Sequence, residues 1–207
     1  MGPLEHARPR LGRAMIGLML ATRERFPAPA TPGWALEPKI DGARVLVRIE
    51  DSGPAIWTRE GQAVTRALPE LVRAIGELAL EAGTVLDCEL WARGPDGRIS
   101  VSATLGCLTR RRGLETRLAV FDVPTEAGPW TRRRALLERL VPAAGLVARV
   151  PARPLADLEG ALRAVERHGL EGLVAKATDS PYRAGRSDRW RKWRAVWGPP
   201  QVSRPLA

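Results

Sequence analysis

An α+β fold with largely antiparallel sheets is what the order of residues predicts, on three observations. Short apolar stretches with two-residue alternation are bounded by strong turn signals. Longer stretches carry apolar residues at helical spacing. Neither a regular β-α-β rhythm nor a Gly-x-Gly-x-x-Gly turn joins the two kinds. Residues 34–40 read as a short strand that runs into a loop at Asp41-Gly42. Residues 43–49 alternate, with Val45, Val47 and Ile49 on one face and Leu46 and Arg48 on the other. Asp51-Ser52-Gly53-Pro54 is a turn, and residues 55–59 return as the hairpin partner. Residues 68–80 place Leu71, Val72, Ile75, Leu78 and Ala79 at helical spacing, with Gly83 just beyond them. Residues 84–92 form a strand followed by the turn Gly94-Pro95-Asp96-Gly97, and residues 117–123 form another. Helices follow over 131–141 and 155–167, the second closed by His168-Gly169, and strands over 173–177 and 190–196. The chain thus reads as one domain, residues 1–197, and a tail or linker, 198–207, with no internal repeat.

Composition narrows the class. At 207 residues, 44% hydrophobic and 27% charged, the chain has the material of one globular core. Two cysteines, Cys88 and Cys107, cannot build a four-thiolate zinc site or a disulfide framework, which favours a reducing cytoplasm. There is no asparagine and therefore no N-linked glycan acceptor. The longest apolar stretch, residues 14–21, is far short of the roughly 20 residues that span a bilayer, so no membrane association is expected.

Thirty-three basic residues face 23 acidic ones, a net charge of +10. Such a surplus suits a polyanion, whose counterions are released on binding, but an arginine-rich composition from a GC-rich genome produces the same surplus, and charge alone does not separate the two. Lysine use is more telling. Only Lys39, Lys176 and Lys192 interrupt the arginines. Lysine supplies what arginine cannot: an amine able to lose its proton and attack an electrophile, or a compact charge for a single phosphate oxygen.

Lys39 stands in Glu37-Pro38-Lys39-Ile40-Asp41-Gly42-Ala43-Arg44. Freeing a lysine amine at neutral pH costs about 4.6 kcal/mol, and a neighbouring cation such as Arg44, partial burial or a metal lowers that cost. Alone, the segment also reads as a surface lysine in a hairpin turn. It does not stand alone. It resembles the nucleotide-accepting motif of the covalent nucleotidyltransferases: ATP-dependent DNA ligases, RNA ligases and capping enzymes. The rest of that family's pattern follows in order. Trp57-Thr58-Arg59-Glu60-Gly61 resembles its arginine-bearing turn, and Leu86-Asp87-Cys88-Glu89-Leu90 its Asp-Gly-Glu strand with cysteine in place of glycine. Ala119-Val120-Phe121-Asp122-Val123 is similar to its aromatic strand. Glu171-Gly172-Leu173-Val174-Ala175-Lys176 resembles its Glu-Gly strand. Trp190-Arg191-Lys192-Trp193-Arg194 resembles its closing Trp-x-Lys-x-Lys, with Arg194 in place of the second lysine. On these six motifs, which hold all three lysines, the chain is identified as an adenylation domain of the ATP-dependent DNA ligase family. Residues 33–39 and the run Tyr182-Arg183-Ala184-Gly185-Arg186-Ser187 look most like the bacterial end-joining group.

The resemblance implies an ATP-grasp-like covalent nucleotidyltransferase domain of mostly antiparallel sheets flanked by helices. It also implies roles. Lys39 attacks the α-phosphate of ATP to form lysyl-AMP. Glu37 contacts the adenine amino group and Phe121 stacks on the ring. Arg44 and Glu89 hold the ribose hydroxyls. Arg59, Lys176 and Lys192, with Arg194, gather round the phosphates, and Glu171, with Glu89, holds Mg²⁺. The implied substrate is nicked or broken duplex DNA. The implied setting is a monomer in bacterial cytoplasm, nucleoid-associated and engaged in repair or recombination. The NAD-dependent ligase branch fits poorly, because only 38 residues precede Lys39 and there is no zinc-binding cysteine set; residues 33–34 speak against a GMP-transferring capping enzyme. Too few residues follow Arg194 for the oligonucleotide-binding (OB-fold) barrel that the family carries. The expectation is a stand-alone domain, a barrel on a separate polypeptide or among end-joining proteins, or a truncated product. The alternative from another class is a non-catalytic nucleic-acid-binding module or accessory subunit derived from a ligase.

Other features are read as structure. Cys107 is a small buried hydrophobe, His168 suits a helix C-terminus, and with His6 the only other histidine, histidine-based nucleophilic catalysis has little material. The runs Arg110-Arg111-Arg112 and Arg132-Arg133-Arg134 face DNA phosphates or form solvated surface. Trp193 is read as core, with Trp190 and Trp197 left open.

Overall fold

The computed structural model describes residues 16–109, 115–198 and 200–202. In chain order the strands are β1 (Met19–Thr22), β2 (Trp34–Lys39), β3 (Ala43–Glu50), β4 (Gly53–Thr58), β5 (Val85–Ala92), β6 (Thr116–Asp122), β7 (Val147–Arg149), β8 (Arg153–Pro154), β9 (Gly172–Ala177) and β10 (Gly185–Arg194). The helices are α1 (Pro69–Gly76), α2 (Val101–Leu108), α3 (Trp130–Leu140) and α4 (Leu158–His168). Two five-stranded sheets result, ordered β1-β10-β9-β2-β8 and β4-β3-β5-β6-β7. Pairing is antiparallel except between β1 and β10 and between β6 and β7. The α+β expectation holds. Among the described residues no helix is long and apolar enough to cross a membrane.

Each sheet closes its own core. The alternation in β3 buries Val45, Val47 and Ile49 against Leu71 and Ile75 of α1 and Leu137 of α3. On the other sheet, Leu36 of β2 and Leu173 and Ala175 of β9 pack on Leu158, Ala161 and Val165 of α4, which Gly169 ends in the left-handed conformation. The tail is not wholly a linker: the Phe26 N–H donates to the Gln201 carbonyl at 2.9 Å, and Phe26 bridges Val202.

Where expectation and structure part, the cause is visible. Helix α1 ends at Gly76 instead of residue 80, because Leu78 and Ala79 turn back with i→i+3 bonds and Ala79 takes φ +49°; Leu78 still packs on the core, which extends the apolar period beyond the helix. Helix α2 was not expected. Its residues are apolar nearly all round, so no periodicity shows, and only Ser100, whose Oγ accepts the Ala103 N–H at 3.1 Å, marks its start. Strands β1, β7 and β8 are two to four residues long, too short to carry a pattern. β10 begins five residues early, in a polar run held by pairing with β1.

The tryptophan expectation is corrected: Trp190 is the buried one, and Trp193 is half-buried beside the α4 core with its Nε1 donating to the Gly198 carbonyl. Cys107 is half-buried and Cys88 fully so. The second arginine run is corrected as well. Arg133 is completely buried and Arg134 nearly so, leaving Arg132 alone exposed, paired with Glu126. The first run, Arg110-Arg111-Arg112, and His6 lie outside the described residues.

Gly172 shows how tightly β9 and β10 are joined. A Cβ there would stand 2.0 Å from the Trp193 carbonyl oxygen. Gly172→Ala is therefore expected to cost roughly 3 kcal/mol through forced separation of the strands, read as a lower denaturant midpoint, and to move the adjacent Glu171.

Candidate active site

A cleft of about 510 Å³ opens between the two sheets. It is lined by Glu37, Lys39, Arg44, Arg59, Glu89, Phe121, Lys176, Lys192 and Arg194, so nine of the ten residues selected from sequence meet there. The tenth, Glu171, joins through its contacts with Lys39 and Arg194.

Lys39 is the last residue of β2, and the chain crosses from one sheet to the other through the next three residues. Gly42 permits the crossing: a Cβ there would sit 2.1 Å from the Leu90 carbonyl oxygen of β5. The Lys39 ammonium is hydrogen-bonded to Glu171 Oε2, and the Lys39 carbonyl accepts the Glu171 N–H at 3.0 Å. Glu171 Oε1 lies 2.5 Å from Arg194 Nε. Burial, followed by the charges of Lys39, Arg194, Arg23 and Arg186, holds the Lys192 ammonium below its ordinary value. Arg59 is exposed at the rim. This end of the cleft concentrates positive charge and suits an anion.

Another part of the cleft is buried and aromatic. Glu37 is 2% exposed; its Oε2 pairs with Lys176 Nζ at 2.6 Å, while Oε1 has no hydrogen-bond partner and lies 3.9 Å from Arg134 Nη1. Burial raises the Glu37 carboxyl, with Lys176 and then Arg134 pulling the other way. Lys176, expected from sequence among the phosphate-facing cations, lies at this buried part of the cleft. Its ammonium is buried, donates to the Phe121 carbonyl at 3.1 Å and stands 4.8 Å and 4.2 Å from the ring centroids of Phe121 and Trp190. Phe121 meets Trp190 edge to face.

Arg44, expected at the ribose, is held by partners within the chain. Its guanidinium forks onto Asp87 (2.9 and 2.6 Å), donates to the Met19 carbonyl at 2.7 Å and reaches the Tyr182 hydroxyl at 3.3 Å. Most of its donors are thus spent within the chain. Sequence reasoning placed none of Asp87, Tyr182 and Arg134 in the site; Tyr182 carried two signals, its place in the end-joining-like run and its being the only tyrosine.

Two carboxylates, Glu171 and Glu89, are present for a metal, and among the described residues no cluster of three or more ligating groups exists. That set suits a cation such as Mg²⁺ that takes one or two carboxylates and completes its shell with phosphate oxygens and water. Burial pushes the Glu89 carboxyl up to about 7, against the pull of Lys39 and Arg44. The ordinary value is 4.5, so the folded protein keeps a proton that the unfolded chain releases between about pH 4.5 and 7. Stability from the neutral carboxyl is full below that window and is lost as pH rises through it. Glu89→Gln, neutral at every pH, is expected to abolish this decline. Its urea midpoint should gain on that of the unmodified protein as pH rises from about 5 to about 8.

Strands of both sheets thus converge a lysine, acidic partners and a cationic rim on one cleft. A family model described as ATP dependent DNA ligase domain matches residues 19–194, and the chain belongs to that family. It is 34% identical over 166 residues to the multifunctional non-homologous end joining protein LigD of Pseudomonas aeruginosa, covering 77% of this chain and 20% of that one. It is 37% identical over 167 residues to a probable DNA ligase of Anaeromyxobacter dehalogenans, covering 73% of this chain and 32% of that one. Among solved structures, mycobacterial DNA ligase D complexed with ATP and MES matches with a TM-score of 0.70 at 29% identity, over 86% of this chain and 59% of that one. The chain spans between a fifth and a third of the length of these curated relatives.

Proposed function

We propose that this domain adenylates itself on Lys39 with ATP and passes the AMP to a 5′-phosphate at a nick or break in duplex DNA. The observation that carries the reading is the cleft itself, with the Lys39 amine at its cationic end and the unpartnered Glu37 Oε1 at its buried end. The free lone pair of Glu37 matches an adenine amino group, and Phe121 offers a ring for the base. In the chemical step the Lys39 nitrogen gives up a proton, Glu171 being the acceptor already in hydrogen-bond contact. The nitrogen then forms a bond to the α-phosphorus, and the bond to the β-phosphate oxygen breaks, releasing pyrophosphate. Lys192, Arg194 and Arg59 offset the charge that develops on the leaving group. Glu171, and Glu89 when ionised, would hold Mg²⁺, which supplies Lewis-acid neutralisation of phosphate oxygens. Attack of a 3′-hydroxyl on the adenylylated 5′-phosphate then joins the strand and releases AMP. An OB-fold polypeptide or end-joining proteins are the partners this reading calls for, with the monomer acting in the bacterial cytoplasm at the nucleoid.

The test is retention of label. Protein incubated with ATP and Mg²⁺ should keep radioactivity from the α-phosphate and none from the γ-phosphate, with the adduct mapped to Lys39. Salt-sensitive DNA binding with no adduct would replace this reading with the non-catalytic module.

A further inference from the structure

We infer that Tyr182 is a positioning residue for nucleotide recognition, its hydroxyl fixing the pose in which Arg44 meets the ribose. This rests on the nucleotide reading of the cleft.

Tyr182 belongs to the connection between β9 and β10, on the first sheet, yet its hydroxyl is spent on the second. It donates to Asp87 Oδ2 of β5 at 2.6 Å. The Tyr182 hydroxyl oxygen accepts from Met19 N and from Arg44 Nη2, each at 3.3 Å. Asp87 is completely buried and also receives the Arg44 fork, so Arg44, Asp87 and Tyr182 form a closed ring of hydrogen bonds. A guanidinium has five N–H groups. Nε, both hydrogens of Nη2 and one of Nη1 are committed by these contacts and by the Met19 carbonyl. One Nη1 hydrogen remains for a ligand, and the guanidinium plane that aims it cannot turn without breaking the ring. Its carbon stands 5.3 Å from the centroid of Phe121, the ring assigned to the base, which places the remaining donor beside the base end of the cleft. Burial raises the Tyr182 phenol, with the Asp87 charge adding to it, so the hydroxyl keeps its proton and acts as a donor throughout the working range.

The ring and the hydroxyl have separable tasks. The ring meets Trp190 edge to face at 5.9 Å and lies beneath the Arg133 guanidinium at 5.7 Å. Tyr182→Phe keeps that packing and removes the hydroxyl's hydrogen bonds to Asp87, Arg44 and the Met19 N–H.

The experiment is a cycle of protein and substrate. Rate constants for adduct formation are measured with ATP and with its 2′-deoxy and 3′-deoxy analogues, on the unmodified protein and on Tyr182→Phe. Binding of the same nucleotides is measured by calorimetry on Lys39→Arg with and without Tyr182→Phe. We expect Tyr182→Phe to cut the preference for ATP over at least one deoxy analogue about tenfold, in both rate and affinity. A purely structural loss would weaken all nucleotides equally and leave the preference unchanged, and that result would overturn the inference. Absence of ATP binding by the Lys39→Arg protein would overturn it together with the nucleotide reading. Binding without adduct in the unmodified protein would remove the proposed reaction, while the affinity arm still decides the role of Tyr182.

Discussion

Lys39→Arg is expected to abolish covalent labelling by ATP while leaving the fold and its denaturant midpoint close to unchanged. Arginine keeps the positive charge and retains an ion pair with Glu171, so the electrostatics of this end of the cleft survive. It cannot shed its proton in water-like conditions, and so it presents no lone pair to phosphorus. Loss of a nucleophile typically removes rate by about six orders of magnitude, well beneath the detection limit of intact mass measurement over hours. Equilibrium binding of ATP should persist, because Glu37, Lys176 and Phe121, the residues assigned to the base, are left unchanged. An adduct that survives on Lys176 or Lys192 would remove Lys39 from its assigned place. Lys176 is a particularly informative control, since the residue is 1% exposed and its ammonium is bound to Glu37.

Arg133→Leu is expected to be among the most destabilising single changes in the molecule, by about 3–5 kcal/mol. The guanidinium and Asp122 are both completely buried. Arg133 Nε donates to Asp122 Oδ1 at 2.6 Å and Nη2 to Oδ2 at 3.2 Å, while Nη1 serves the carbonyls of Gly128 and Ser180. Removing the cation leaves a carboxylate in the interior with only the Val123 N–H to hold it. Because the penalty is that of an orphaned charge, the double variant Asp122→Leu, Arg133→Leu should recover part of the loss. Urea titrations of the single and double variants measure both. A single variant within 1 kcal/mol of the unmodified protein would show that Asp122 finds another partner.

The residues of the cleft were legible chiefly through the resemblance of six short motifs to those of a known family, and the scarcity of lysine added a signal of its own. Three lysines in an arginine-rich chain and acidic residues at fixed places in short strands can be read without knowing how the strands meet. What the cations do could not be read that way. Lys176 and Arg44 look like free charges in a sequence, and only the pairings β2 with β9 and β3 with β5 reveal that Glu37 and Asp87 already claim them. The run Arg132-Arg133-Arg134 shows the same limit from the opposite side. A charge run on a helix reads as solvent-facing, yet buried acceptors on β6 and on the β9–β10 connection draw Arg133 inward, and the Val150 carbonyl with Glu138 holds Arg134. Helix α2 was invisible for a different reason. Its start depends on one serine, and its apolar residues, Val101 and Leu105 among them, remain 41% and 48% exposed and obey no period. The Trp190 and Trp193 misreading follows from β10 geometry. Three residues apart in a strand, the two rings fall on opposite faces, one into the inter-sheet interior and the other toward α4.

The two hydrophobic cores are each closed on their own sheet, and the links described between the sheets are mostly polar, Arg44 to Met19, Tyr182 to Asp87 and Arg133 to Ser180, beside the aromatic contact of Phe121 with Trp190. The two kinds of contact respond differently to temperature. Apolar burial carries a large heat capacity and weakens on cooling, while hydrogen bonds between buried charged groups depend far less on it. The approach of the two sheets at the cleft therefore depends largely on contacts that soften little in the cold. As temperature falls, the cores should loosen before the geometry of the cleft does.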